Sequence, residues 1–290
     1  MPLVSVIMNC YNSERFLKEA IDSVFAQTFK DWEIIFWDNQ STDKSAEIAR
    51  SYGEMLKYYK GEEFLPLGAA RRKAVEKAQG QYIALLDCDD IWLPDKLEKQ
   101  IALFERNPSL GLVYSDCYII DDKGNKDQKT SFGTNKPFKG DVLAELILYN
   151  PIPCPTAMFS RKAYNDSGGI NPSRKFSEEY ELFVKITQVY QIDYIDKPLA
   201  MYRIHEGNWS KHLWNESVDE YLDVIENALH SKPLTKKQEQ RLRLHLRKYS
   251  LEILRGYVKR FKSYKDIIEL FKQEKRIKHI INKLIRRTNY

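Results

Sequence analysis

Three carboxylates fall within four residues at Asp87-Cys88-Asp89-Asp90, directly after an apolar run, Tyr82–Leu86. Like charges at this spacing repel one another and resist burial. A divalent cation would relieve that repulsion. Carboxylate oxygens suit Mg²⁺ or Mn²⁺, ions commonly held by one or two carboxylates together with substrate phosphates. The alternative is a solvated acidic turn that only caps the next helix. Two further apolar runs end in residues capable of chemistry: Leu3–Met8 leads into Asn9-Cys10-Tyr11-Asn12, and Trp32–Trp37 into Asp38-Asn39-Gln40-Ser41-Thr42-Asp43.

These segments need a scaffold. Ser13 is expected to cap a helix with Phe16, Leu17, Ala20, Ile21, Val24 and Phe25 at helical spacing. Asp43 is expected to cap a short helix reaching Ala49. Residues 55–59 suggest a third strand, 67–79 a helix stopped by Gly80, and 82–86 a fourth strand. Pro94 is expected as the first residue of a helix running to Phe104, and 112–120 as a fifth strand. Strands thus alternate with helices, which predicts an α/β fold with a mainly parallel central sheet and helices on both faces. Ligands bind beyond the carboxyl ends of such strands, so the three polar segments should share one rim. Residues 122–139 read as polar loop. A helix near 141–149, a proline cluster at 150–155, a strand at 156–160 and a helix at 177–190 follow. Two short strands, 192–195 and 200–204, precede a helical remainder after Lys211.

In this order, VSVIMNCYN, WEIIFWDNQSTDKS, PLGAARRKAVEKAQGQYIALLDCDD, FSEEYELFVKI and YRIHEGNWS resemble the inverting family 2 glycosyltransferases of GT-A fold, including those of bacterial surface-polysaccharide assembly. The resemblance spans about residues 3–210. It implies that Cys10, Tyr11 and Glu14 line a nucleobase and ribose pocket, that Asp38 recognises the base, commonly uracil, and that Arg71 lies near the nucleotide. It further implies Asp87 with its neighbour Cys88 on the ribose side, Asp89 as principal metal ligand, and His205 as a second metal ligand beside Arg203 near the diphosphate. Glu179 takes the position of the catalytic base, with Glu178 as the alternative, since the family's usual Glu-Asp is Glu178-Glu179 here. Acidic residues in a first helical turn also arise for dipole reasons alone. Asn9 replaces the family's usual proline, and Asn39-Gln40 its usual Asp-Gly.

The chemistry so implied is a single displacement at the anomeric carbon of a nucleotide-sugar, with Mn²⁺ or Mg²⁺ aiding departure of the diphosphate. Glu179 would deprotonate the hydroxyl of a glycan or lipid-linked acceptor. The segment 122–139 or 206–214 would close over the site, and Trp209 and Trp214 would stack on a sugar or pack on the body. Two competing readings are a nucleotidyltransferase acting on sugar phosphates and a non-catalytic membrane-docking scaffold. No glycine-rich phosphate loop supports the first, and the retained carboxylates argue against the second.

The 290 residues are 43% hydrophobic, enough for a core, and carry a net charge of +5 that conceals a split. Residues 232–290 hold 19 basic and 5 acidic side chains, a net of +14, whereas 1–231 sum to −9. This divides the chain into a catalytic domain, 1–211, with a nucleotide half (1–121) and an acceptor half (122–211), and a basic helical region, 212–290. Apolar residues recur along that basic region, so its helices are expected to cover the body, pair two subunits as a homodimer or dock on an anionic membrane. No nucleic-acid motif accompanies the charge. Four scattered cysteines, no apolar run of membrane-spanning length and no leader-like start predict a cytoplasmic protein, peripheral at most at the inner face of the plasma membrane. The four Asn-x-Ser sequons, at Asn39, Asn165, Asn208 and Asn215, are read as coincidental.

Overall fold

The computed structural model describes residues 1–134, 136–208 and 214–231, together with Lys236 and Lys275. Trp209 and the expectations attached to 232–290, a membrane face or a dimer interface, lie outside the described residues. The strands are β1 (Val4–Cys10), β2 (Trp32–Asp38), β3 (Leu56–Lys60), β4 (Tyr82–Leu85), β5 (Ile91–Trp92), β6 (Leu110–Ile120), β7 (Lys126–Thr130), β8 (Met158–Ser160) and β9 (Gln191–Arg203). The helices are α1 (Glu14–Phe25), α2 (Ser45–Arg50), α3 (Leu67–Lys77), α4 (Lys96–Arg106), α5 (Ser131–Thr134), α6 (Leu143–Leu148), α7 (Arg161–Asp166), α8 (Glu178–Thr187) and α9 (Trp214–Ser231).

All strands join one sheet in the order β3-β2-β1-β4-β8-β6-β9-β5, with β7 paired to β6. The half from β3 to β4 is parallel, as is β6 with β9, while β8 runs antiparallel between them. The expected mainly parallel α/β sheet is therefore present. Register explains the shared rim: Cys10 lies opposite Asp38, Asp38 opposite Lys60, and Ile7 opposite Leu85. Strand alternation sends Val6, Met8, Ile34 and Phe36 to one face, where Leu17, Ala20, Ile21 and Val24 of α1 complete the core. Gly80, three residues beyond α3, bonds through its N–H to Ser5 Oγ at 2.7 Å, which ties the end of the α3 segment to β1.

The two polar loops at the rim hold each other. Glu14 N–H donates to the Asp43 carboxylate at 2.9 Å, and Lys44 N–H donates back to the Glu14 carboxylate at 2.9 Å. Each helix start is thus capped by the neighbouring loop's acid. Ser13 stands at the N-cap of α1, but its hydroxyl donates to the Tyr11 carbonyl instead of capping.

Several boundaries differ from expectation. Pro94 precedes α4: its carbonyl accepts from Thr28 N–H at 2.8 Å, and Asp95 takes the N-cap position. The 122–139 stretch contains β7 and α5, because a hairpin turn with Gly124 at φ +86° returns the chain along β6. β7 is almost wholly exposed, so it lacks the apolar alternation that marks a strand. The two strands expected near 192–204 are one long strand, whose pairing shifts register between Ile195 and Pro198 opposite Ser115 and Asp116. β5 and α7 were not expected; each is shorter than seven residues.

The chain divides into two units, Met1–Val142 with Pro151–Trp214, and Leu143–Asn150 with Asn215–Tyr290. The second unit contains α6, which sequence order places in the acceptor half, and α9, with Leu222, Val224, Ile225, Ala228 and Leu229 buried. Among the described residues, no helix is long and apolar enough to cross a membrane.

Candidate active site

Every expected site residue belongs to the first unit. At its centre stands Arg71 on α3, with 3% of its side chain exposed. One guanidinium nitrogen donates to the Asp87 carboxylate at 2.5 Å and the other to the Glu178 carboxylate at 2.5 Å, with Glu179 Oε2 at 3.9 Å. A single planar fork therefore ties the turn after β4 to the first turn of α8. The Cys154 sulfur also lies 3.7 Å from this guanidinium. The turn carrying Cys154 is held from beneath: Trp92 Nε1 donates to the Pro155 carbonyl at 2.7 Å, and Gln100 Nε2 to the Thr156 carbonyl at 2.7 Å.

The two acidic residues of α8 differ sharply. Glu178 has no exposed surface, whereas 22% of the Glu179 side chain reaches solvent. Burial pushes the Glu179 carboxyl well above the ordinary carboxylate range, and Glu178 beside it adds to the rise. Burial also raises Glu178, against the opposing pull of Arg71. Ser177 occupies the N-cap without a hydroxyl bond to the first turn, and its carbonyl accepts from Glu181 N–H at 2.9 Å. Close chain approach places α8: a Cβ on Gly68 would stand 2.4 Å from the Asn171 carbonyl oxygen and 3.3 Å from Glu178 Cβ.

Asp89 pairs with His205, the two approaching to 2.9 Å between Oδ2 and Nε2. Its carboxyl is raised above the usual range by burial and then by the charge of Asp87. Asn208 completes the cluster. Its amide nitrogen lies 3.4 Å from Asp89 Oδ2 and 3.1 Å from the Arg203 carbonyl, and its oxygen accepts from His205 N–H at 2.5 Å. Asn208 lies in the YRIHEGNWS segment, where the sequence gives it no role, and with 9% exposure its side chain serves this turn. Among the described residues, no three His, Cys, Asp or Glu side chains gather as a complete metal cage. A carboxylate and an imidazole at 2.9 Å still fit a hard divalent cation whose other ligands are phosphate oxygens and water. Burial, and after it the charge of Asp87, disfavour the ionised Asp89 carboxylate, a cost that such an ion would offset.

Arg203 is 2% exposed. Its N–H groups donate to the Asp89 carbonyl at 2.8 Å, the Asp121 carbonyl at 3.4 Å and the Glu19 carboxylate at 2.6 Å. Its backbone N–H donates to Asp90 at 2.8 Å, and Phe16 covers the guanidinium face. These donors are committed to the acidic turn and its surroundings. Glu19 and Phe16 carry no motif, so their part was not legible in the sequence.

At the end of β1 and in the turn after β4, Cys10 and Cys88 are 1% and 4% exposed. The Cys10 thiol is pulled down to about 7, chiefly by a hydrogen bond with the free Cys88 thiol. Asp38 has no exposed surface. Its Oδ1 accepts from Ser41 N–H at 2.8 Å and its Oδ2 from the Tyr58 hydroxyl at 2.5 Å, and burial with this bond pushes Tyr58 up to about 12. Glu14 is exposed but engaged with α2, as described. Tyr11, 44% exposed, meets Phe64 edge to face with ring centroids 4.8 Å apart.

The sequence profile of glycosyl transferase family 2 matches residues 5–168. An uncharacterized glycosyltransferase of Methanocaldococcus jannaschii is 38% identical over 70% of this chain and 71% of its own length. A putative teichuronic acid biosynthesis glycosyltransferase of Bacillus subtilis, TuaG, is 30% identical over 73% of this chain and 83% of its own. Among solved structures, S. aureus TarS in complex with UDP-GlcNAc superposes with a TM-score of 0.78 at 19% identity, covering 96% of this chain and 81% of that one. The profile, the two relatives and the shared GT-A fold agree, and the chain belongs to glycosyl transferase family 2 and is a glycosyltransferase.

Proposed function

We propose that this enzyme moves a sugar from a nucleotide-sugar, with a UDP-sugar as the favoured donor, to a hydroxyl of a glycan or lipid-linked acceptor, with inversion at the anomeric carbon. The observation that carries the reading is the Arg71 bridge, which brings the acidic turn of Asp87 and the Glu178-Glu179 pair within reach of one guanidinium. On this reading one side chain holds a donor-side acid and the acceptor-side acids near one another, the proximity a single displacement needs.

The roles follow from exposure. Glu179, the open member of the acid pair, takes the proton of the attacking hydroxyl. Glu178 anchors the helix start through Arg71, and Arg203 holds the acidic turn in shape. Asp89 and His205 would hold Mg²⁺ or Mn²⁺, which supplies neutralisation of the charge growing on the departing diphosphate. Asp87 faces the ribose side, with 33% of its side chain exposed. TarS, with UDP-GlcNAc bound, and TuaG, named for teichuronic acid synthesis, support a UDP-sugar and a surface-glycan acceptor.

The +14 segment 232–290 supports docking at an anionic membrane where a lipid-linked acceptor resides. Flotation with anionic liposomes tests this, and equal flotation without that segment would refute it. A screen of UDP- and GDP-sugars for nucleotide release tests the activity. Turnover of a nucleotide-sugar with an inverted product is expected, and retention of configuration would overturn the single displacement.

A further inference from the structure

Asp38, the carboxylate expected to read the nucleobase, has no exposed surface, and both its oxygens are engaged by Ser41 and Tyr58. The rim beside it instead presents two open rings, Tyr11 at 44% exposure and Phe64 at 50%. Phe64 belongs to the loop after β3, and that loop is clamped at both ends. Gly61 N–H donates to the Asp38 carbonyl at 2.8 Å, and the Gln40 amide donates to the Gly61 carbonyl. The Asn39 amide grips Leu65 twice, donating to its carbonyl at 2.8 Å and accepting from its N–H at 3.1 Å. Asn39 and Gln40 are the two residues that depart from the family's usual Asp-Gly, so the departure here serves to fix the Phe64 loop.

Resting on the donor-site reading above, we infer that Phe64, held by Asn39 and Gln40 against Tyr11, forms an aromatic ledge on which the donor's nucleobase stacks, and that Phe64 is a donor-affinity determinant. Sheet order supports the placement. From β3 through β2 and β1 to β4, the rim runs from Phe64 past Asp38 and Tyr11 to Asp87. A nucleoside diphosphate laid along it places its base on the rings and its phosphates at the acidic turn. Half-exposed aromatic faces fixed by a clamped loop are well suited to base stacking.

Titration calorimetry with UDP and Mn²⁺, and separately with inorganic pyrophosphate and Mn²⁺, tests this on the full chain. Phe64→Ala is expected to weaken UDP binding by about tenfold or more, the loss of one base–aromatic contact, and Phe64→Tyr to restore it. Pyrophosphate affinity should not move in either variant. UDP affinity unchanged in Phe64→Ala would overturn the ledge while leaving the donor site standing. An equal loss of pyrophosphate binding would also overturn it, by showing general damage to the site. Failure of the unaltered chain to bind UDP would remove the donor-site reading and this inference with it.

Discussion

The Arg71 guanidinium and the Glu178 carboxylate meet at 2.5 Å with 3% and 0% of their side chains exposed. Neither charge has water to turn to, so each depends on the other, and Asp87 on the second nitrogen depends on both. The pair is a joint between α3 and α8, and through it the first turn of α8 is registered against the turn after β4.

Removing one side of this joint is expected to be severe. Arg71→Ala leaves a buried carboxylate without a partner, a change that typically costs about 3–5 kcal/mol. Urea unfolding should register a loss of that order. Arg71→Lys keeps the charge but lacks the fork that reaches both acids, so it should fold better than Arg71→Ala while still losing most transfer activity.

Gly68 offers a test of helix placement without touching a charge. Its missing Cβ would stand 2.4 Å and 2.7 Å from the carbonyl oxygens of Asn171 and Arg174, both backbone atoms. Gly68→Ala must therefore displace the segment leading into α8, at about 1–3 kcal/mol. The turnover number should fall more than the affinity for UDP. Equal loss of both would mean that α8 does not set the acceptor side alone.

The alternation of apolar strands and helices up to residue 120 is plain in the sequence because β1, β2 and β4 are buried almost throughout and read as continuous apolar runs. Asp87, Asp89, Glu179 and His205 are legible because family motifs carry them. Arg203 is legible as a residue, but not as one turned inward onto Glu19 and Asp121, since those partners are separated from it by 184 and 82 residues. Asn208, Phe64 and Tyr58 leave no signal of their own, because each acts through tertiary contacts that spacing does not encode. β7 escapes for the opposite reason: it is a polar, exposed strand made by its hairpin turn.

A cation held by Asp89 and His205, as proposed, should show itself through stability. The unaltered chain with UDP should gain thermal stability when Mn²⁺ is added, because binding to the folded state alone stabilises it. Asp89→Asn should lose that gain. It should also raise the melting temperature without metal, since it removes charge from a turn whose carboxyls burial already raises. Asn208→Ala should reduce the gain by loosening the His205 turn. A full Mn²⁺ shift in Asp89→Asn would contradict the assignment.

The raised Glu178 and Glu179 carboxyls give a pH dependence with a definite sign. Their folded values lie above the unfolded ones, so protonation favours the fold. That stability is fully present below the ordinary carboxylate range and is lost as pH rises through the folded values. The melting temperature of Glu179→Gln relative to the unaltered, metal-free chain should therefore rise as the pH is raised from that range, because the variant lacks this loss. The base must be deprotonated to act, so the acidic limb of the transfer rate should lie above the range of an ordinary glutamate.

The most direct measurement pairs sugar transfer with UDP binding in Glu179→Gln. The amide keeps the size of the side chain and cannot accept the acceptor's proton. The account predicts transfer reduced by at least about a hundredfold, the usual contribution of a positioned base, with UDP affinity in Mn²⁺ unchanged. Transfer at the unaltered rate, with Glu178→Gln abolishing it instead, would contradict the assignment of Glu179 as the base.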